Sequence, residues 1–172
     1  LKPLIIIPTL NEIDNIAQLL NDILKQEYEA DILVVDAMSE DGTPEIVKKI
    51  GEKHPQVHLL AQEERGNFGG AVRMGFEHAL QHQYDPVITM DGDRAQNPAH
   101  VQRFLDLCDR YDMIIGSRYV DGVRVEGWRF RKLLISKLAN MYISYVMVKP
   151  IWDFTSGFRC YRHSFLKKID LN

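Results

Sequence analysis

The chain has 172 residues, 45% of them hydrophobic and 26% charged, with a formal net charge of -3. That length allows one domain with a real core, and the mildly acidic balance argues against a general nucleic-acid binder. Cys108 and Cys160 fit neither a disulfide framework nor a zinc spacing, so a reducing compartment is expected, with Cys108 a small buried residue in a helical pattern.

Leu4-Ile5-Ile6-Ile7 is a short continuous apolar run, followed by Ile13, Ile16, Ala17, Leu20, Ile23 and Leu24 at helical spacing. Ile32-Leu33-Val34-Val35 predicts a second buried strand. Thr43-Pro44 reads as the N-cap and first residue of a helix holding Ile46, Val47 and Ile50. Val57-His58-Leu59-Leu60 predicts a third strand, then a helix over 69–82 and a strand over 87–90. Asn97-Pro98 opens a helix with Val101, Phe104, Leu105 and Cys108 on one face, and Met113-Ile114-Ile115 is a fifth strand. Strands with no polar face, alternating with amphipathic helices, indicate a mostly parallel sheet covered on both sides.

Ligands of such sheets bind beyond the carboxyl ends of the strands. The polar chemistry of this chain collects there: Pro8-Thr9-Leu10-Asn11-Glu12, Asp36 through Gly42, Asp91-Gly92-Asp93 and Gly116-Ser117-Arg118-Tyr119. Asp91 and Asp93 are the sharpest feature. Two carboxylates one residue apart at a strand end repel each other, and a hard divalent cation with substrate phosphates relieves that repulsion. The same tetrad, Met90-Asp91-Gly92-Asp93, also suits a plain turn, since Asp-Gly is a common turn pair.

Taken together, Pro8-Thr9-Leu10-Asn11-Glu12, Val35-Asp36, Ser39-Glu40-Asp41-Gly42-Thr43, Asp91-Gly92-Asp93, Gly116-Ser117-Arg118-Tyr119 and Thr155-Ser156-Gly157-Phe158-Arg159 resemble a family-2 glycosyltransferase of the GT-A fold. The chain looks most like the dolichol-phosphate mannosyltransferase and polyprenyl-phosphate branch. The resemblance implies an α/β, Rossmann-like fold with a C-terminal amphipathic interfacial helix. It implies one catalytic domain over 1–172, with a nucleotide-sugar part at 1–120 and an acceptor- and membrane-facing part at 121–172. Pro8, Leu10, Glu12, Val35, Asp36 and Ala37 would meet the nucleoside, partly through backbone. Asp91, Gly92 and Asp93 would meet the donor diphosphate, with Mg²⁺ or Mn²⁺ on Asp91 and Asp93. Arg118, Lys132 and Ser136 would surround phosphates, with Arg131 close by; Asp91, Asp93 and Arg118 would be catalytic.

The implied partners are a sugar nucleotide, GDP-mannose or UDP-glucose, a polyprenyl or dolichyl phosphate and a membrane surface. The implied location is the cytoplasmic face of a membrane. Two positions depart from the family pattern. Ala37 stands where a second Asp is usual, and Ala95 where Gln or Ser is usual, leaving water or Gln96 to replace a ligand. Lys132 stands where Arg is common, which keeps charge but loses the bidentate fork. Rival readings are a saccharide acceptor, with Asp153 as candidate base, and a non-catalytic sugar-nucleotide sensor or membrane-docking domain.

Three further segments complete the sequence. Glu64-Arg65-Gly66-Asn67-Phe68-Gly69-Gly70 precedes a helix and suits either phosphate or close helix packing; the resemblance sets Arg65 beside the donor. The stretch 124–147 starts with Arg124, Arg129, Arg131, Lys132 and Lys137 and continues with a broad apolar face, flanked by Trp128 and Trp152. It suits a membrane interface or a helix packed on the sheet, and the resemblance favours the former. His78 and His82 are spaced as metal ligands but lack a third, so a surface helix is expected. No signal peptide and no run of 18 apolar residues is present. The chain opens without Met and stops at Leu171-Asn172, so a fragment is expected, with room for membrane helices after 172.

Overall fold

The computed structural model describes residues 2–62, 67–117, 153 and 155–171. In chain order these form β1 (Leu4–Thr9), α1 (Ile13–Leu24), β2 (Asp31–Asp36), α2 (Thr43–Gly51), β3 (Val57–Ala61), α3 (Phe68–Gln81) and β4 (Val87–Thr89). A 3₁₀ turn (Pro98–His100), α4 (Val101–Leu107), β5 (Met113–Ile115), β6 (Arg159–Tyr161) and a short α5 (His163–Leu166) follow. The strands join in one sheet of order β3-β2-β1-β4-β6-β5. β1 pairs in parallel with β2 and β4, and β2 with β3.

The apolar runs of β1 and β2 serve two cores. Alternate residues point to opposite faces of a sheet. Ile5, Ile7, Ile32 and Val34 therefore meet Ile16, Leu19, Leu20 and Ile23 of α1, Val47 of α2 and Phe104 of α4. Leu4, Ile6, Leu33 and Val35 meet Ala71, Phe76 and Ala79 of α3, and Leu166 of α5. Gly75 lets α3 lie close to β1: a Cβ there would stand 2.6 Å from Cγ2 of Ile6. This is the doubly covered, mostly parallel sheet that the alternation predicts.

Three local features differ from expectation. The chain at Asn97-Pro98 first makes a 3₁₀ turn, capped by the Asn97 side chain on the Ala99 amide, and only then α4. Thr43 is the first residue of α2, and Gly42, at φ 97°, is its N-cap. β6, unforeseen as a strand, runs antiparallel to both β4 and β5 and separates them. The expected interfacial helix falls on residues outside those described. Among the described residues, no helix is long and apolar enough to cross a membrane.

Candidate functional site

The carboxyl ends of β1, β2 and β4 and the start of α3 enclose a cleft of about 270 Å³. Pro8, Leu10, Glu12, Ala37, Asp91, Gly92 and Asp93 all line it, so seven of the positions singled out in the sequence come together. Thr9, which the sequence places at this edge without a role of its own, lines it too, and so do Phe68 and Ala71, which sequence reasoning missed. The signal for Phe68 and Ala71 is the Gly-rich entry to α3, where the sequence points to the glycines and Arg65 instead. Leu10 and Phe68 keep 44% and 57% of their surface exposed, so the cleft has apolar walls beside an acidic end.

Asp91 follows β4 after one residue, Met90, and is held from several sides. Gln96 reaches back across the turn: its Oε1 accepts from the Asp91 amide at 2.8 Å, and its Nε2 donates to Asp91 Oδ2. Gln96 is thus a brace on Asp91. Asp93 Oδ1 accepts from the Ala95 amide at 2.9 Å, an Asx turn that shapes the loop and leaves Asp93 exposed. Gly92 is closely surrounded: a Cβ there would stand 3.3 Å from both Glu12 Cγ and Thr9 Cγ2, so those side chains would have to give slightly. Glu12, Asp91 and Asp93 give the cleft three carboxylates, which concentrate cations from solution.

Val35 and Asp36 do not line the cleft; both are buried behind it. Val35 points into the α3-side core. Asp36 falls on the opposite face and is 1% exposed. It accepts from Thr9 Oγ1 at 2.9 Å, Ser39 Oγ at 2.6 Å and the Ser39 amide at 2.8 Å. The Ala37 amide, in turn, donates to the Thr9 carbonyl at 2.9 Å. Asp36 therefore latches the β2 loop to the end of β1.

A second set of bonds ties the same two loops. Asn11, at φ 57°, donates its amide to Ser39 Oγ and accepts from the Glu40 amide through Oδ1. Asp41 accepts from the Ile13 amide at 2.9 Å and from both the amide and hydroxyl of Thr43. It thus caps the start of α1 from the neighbouring loop, because Glu12 at the N-cap gives no side-chain cap. Slight burial works to raise the Asp41 carboxyl, but the bonds from Thr43 and Ile13 outweigh it and hold the group below its ordinary range.

From the far side, the segment before β6 closes on Asp91. Thr89 Oγ1 donates to the Gly157 carbonyl at 2.7 Å, and Ser156 Oγ donates to the Gly116 carbonyl at 2.7 Å. Asp153 is 1% exposed and accepts from Thr155 Oγ1 at 3.1 Å. Arg118, Lys132, Ser136, Arg131, Arg65, Trp128 and Trp152 lie outside the described residues. His78, in the last turn of α3, and His82, its C-cap, hold their rings tilted at 35° with centroids 4.3 Å apart, and no His, Cys, Asp or Glu group of three or more suited to a metal occurs among the described residues.

Two carboxylates are nevertheless a sufficient protein donor set for one kind of metal. Mg²⁺ and its like take one or two carboxylates and fill their remaining positions with substrate phosphate and water. Asp91 and Asp93, side by side on a cleft wide enough for a ligand, fit that requirement.

A family model described as glycosyl transferase family 2 matches residues 4–170. A polyprenol monophosphomannose synthase of Mycolicibacterium smegmatis is 36% identical over 99% of this chain and 65% of its own length. An undecaprenyl-phosphate mannosyltransferase of Micrococcus luteus is 34% identical over 100% of this chain and 71% of its own length. The chain thus spans about two thirds of the length of these relatives. Among solved structures, a mannosyltransferase from Pyrobaculum calidifontis in complex with GDP-Man and Mn²⁺ superposes with a TM-score of 0.65. It is 22% identical, with 97% of this chain and 46% of that one covered. This likeness shows the fold, a GT-A-like arrangement of mostly parallel strands.

Proposed function

This chain belongs to glycosyl transferase family 2, and on that premise we propose that it transfers a hexose from a nucleoside-diphosphate sugar to a polyprenyl monophosphate, with inversion. The observation that carries this reading is the pair Asp91 and Asp93 at the acidic end of a cleft whose other wall is Pro8, Leu10, Ala37, Phe68 and Ala71. The shape suits a ligand with a charged diphosphate and a flat nucleoside. The names of the two relatives support mannose and a lipid phosphate, which makes GDP-mannose the first donor to test.

Asp91 and Asp93 would hold Mg²⁺ or Mn²⁺, as the Mn²⁺ in the Pyrobaculum calidifontis complex supports. When bound, such an ion supplies positive charge against the leaving diphosphate. The protein does the rest by position. Gln96 and the space at Gly157 hold the Asp91 carboxylate in place before any ligand arrives. The acceptor phosphate is already ionised near neutral pH. One of its oxygens forms the new bond to the anomeric carbon as the bond to the nucleoside diphosphate breaks, so no general base is needed.

Arg118, Lys132 and Ser136 are proposed around the acceptor and donor phosphates, where cations offset the repulsion between them. Within this reading, 1–120 serves the sugar nucleotide and 121–172 the acceptor. A lipid-linked acceptor sets the reaction at a membrane surface, proposed here as the cytoplasmic face.

The test uses the full-length protein, Mn²⁺ and a short-chain polyprenyl phosphate. Radiolabelled GDP-mannose and UDP-glucose are offered separately, and label is counted in the organic phase. Label from GDP-mannose, lost with EDTA and in Asp91→Ala or Asp93→Ala, is the expected result. Label from UDP-glucose alone replaces the sugar. No label from either donor, with nucleotide still bound, overturns the acceptor.

A further inference from the structure

Gln62 follows β3 at the carboxyl edge of the sheet, with its amide donating to the Asp36 carbonyl at 2.9 Å. Its side chain turns toward the first turn of α3, where Nε2 lies 3.3 Å from the place a Cβ on Gly70 would occupy. The residue is only 8% exposed. Its Oε1 is the one buried side-chain polar atom among the described residues that has no hydrogen-bond partner. Such an atom destabilises the folded chain, and an unmet polar group of this kind points to a missing ligand.

The chemistry of the atom narrows that ligand. An amide oxygen accepts, so it needs an N–H or O–H and gains nothing from a phosphate, which offers only acceptors at neutral pH. Location narrows it further. Ala37, next to Asp36, and Ala71, next to Gly70, both line the cleft. In the order β3-β2-β1-β4, Gln62 stands three strands from Asp91, about 14 Å at the usual strand spacing. A nucleoside diphosphate with its phosphates at Asp91 and Asp93 spans that distance only if its base reaches the β3 end.

We propose that Gln62 is a specificity-determining residue, accepting a hydrogen bond from an N–H of the donor's nucleobase. This rests on the sugar-nucleotide reading above. Guanine offers a ring N–H and an amino group on one edge, and uracil offers a ring N–H; either meets Oε1 at a site where an apolar side chain would not.

The experiment compares the full-length protein with Gln62→Leu, which keeps the volume and deletes the unmet acceptor. Calorimetry with Mn²⁺ present measures GDP, 2′,3′-dideoxy-GDP, UDP and pyrophosphate. Gln62→Leu should bind GDP at least tenfold more weakly and pyrophosphate within twofold of wild type. KM for GDP-mannose should rise with kcat within twofold, as expected when a contact is equal in ground and transition states. The ligand-free melting temperature should not fall, because a buried unpaired polar atom has been removed. A lower melting temperature, or equal weakening of GDP and pyrophosphate, gives Gln62 a packing role and overturns the inference. Dideoxy-GDP binding that is insensitive to Gln62 moves the partner to a ribose hydroxyl and overturns the base assignment. Gln62→Met repeats the comparison if the Leu variant does not fold. GDP binding indifferent to both variants sinks this inference alone. A wild-type protein that binds no nucleoside diphosphate sinks the donor reading beneath it.

Discussion

The carboxylate of Asp91 lies against the bare Cα of Gly157: a Cβ there would stand 2.5 Å from Oδ1 and 2.9 Å from Oδ2. The constraint is space, with no unusual backbone angle, and it links two distant parts of the chain. Neither side can yield easily. Gly157 is pinned by its carbonyl to Thr89, and Asp91 is pinned by Gln96. Gly157→Ala should therefore displace the Asp91 carboxylate. Overpacking of this kind costs about 1–3 kcal/mol, and misplacing a reacting or metal-holding group by an ångström lowers rate about 100-fold. Urea titration and the mannose-transfer assay read the two effects separately. Wild-type transfer in a folded Gly157→Ala protein would show that the position of this carboxylate is immaterial.

Gln96 contacts Asp91 at both its amide and its carboxylate, so on the proposed metal its effect would be indirect. Losing a group that orients a metal ligand typically lowers affinity by about 10–100-fold. Gln96→Ala should show that loss for Mn²⁺ in the presence of GDP, followed by electron paramagnetic resonance. Gln96→Glu should fall further, because a second carboxylate would then face Asp91. Unchanged Mn²⁺ affinity in both variants would reduce Gln96 to a turn residue.

Asp36 has a structural task that can be measured without any ligand. Its three hydrogen bonds hold the β2 loop to the end of β1, and it is almost fully buried. Asp36→Ala would leave the buried Thr9 hydroxyl and the half-buried Ser39 donors unmet, a loss of about 1–3 kcal/mol. Asp36→Asn keeps the shape and one acceptor, so it should lose less. If Asp36→Ala melts with wild type yet loses nucleotide binding, Asp36 acts on the ligand instead of on the loops.

These relationships mark where a one-dimensional reading stops. β1, β2 and β4 are legible because a strand buried on both faces is an apolar run, as Leu4-Ile5-Ile6-Ile7 is, and β3 and β5 are legible as short apolar runs although they are only partly buried. The placement of Asp91 and Asp93 followed from the end of β4 alone. β6 was not legible: Arg159-Cys160-Tyr161 is short, carries a charge, and is made a strand by partners at Thr89 and Ile115. Such a strand is decided by tertiary context, not by propensity. Asp36 is expected from the resemblance to meet the nucleoside, but its direction depends on the pleat, which turns it to the α1 face with Thr9 and buries it behind the cleft. Gln96 was weighed as a ligand; its reach back to the Asp91 amide belongs to the turn between them. Phe68 was hidden by the glycines beside it.

The histidines at the opposite end of α3 predict a pH effect on stability. Burial, then the nearby His82 and His58, hold the His78 imidazole below its ordinary value of 6.5. Tyr84 stacks on the same ring at 6.2 Å between centroids. A histidine whose folded pKa is lowered prefers the neutral form when folded, and the unfolded chain binds more protons. The favourable contribution is therefore complete above 6.5 and is lost as pH falls from there through the folded value. Melting temperature should decline on acidification below 6.5, before the carboxylates begin to titrate. His78→Asn removes the depressed group and also relieves His82 and His58 of a like charge, so its decline over that interval should be shallower. Parallel curves for the two proteins between pH about 7 and 5.5, a range set by ordinary histidine titration, would show that His78 titrates as freely in the folded protein as in the unfolded chain.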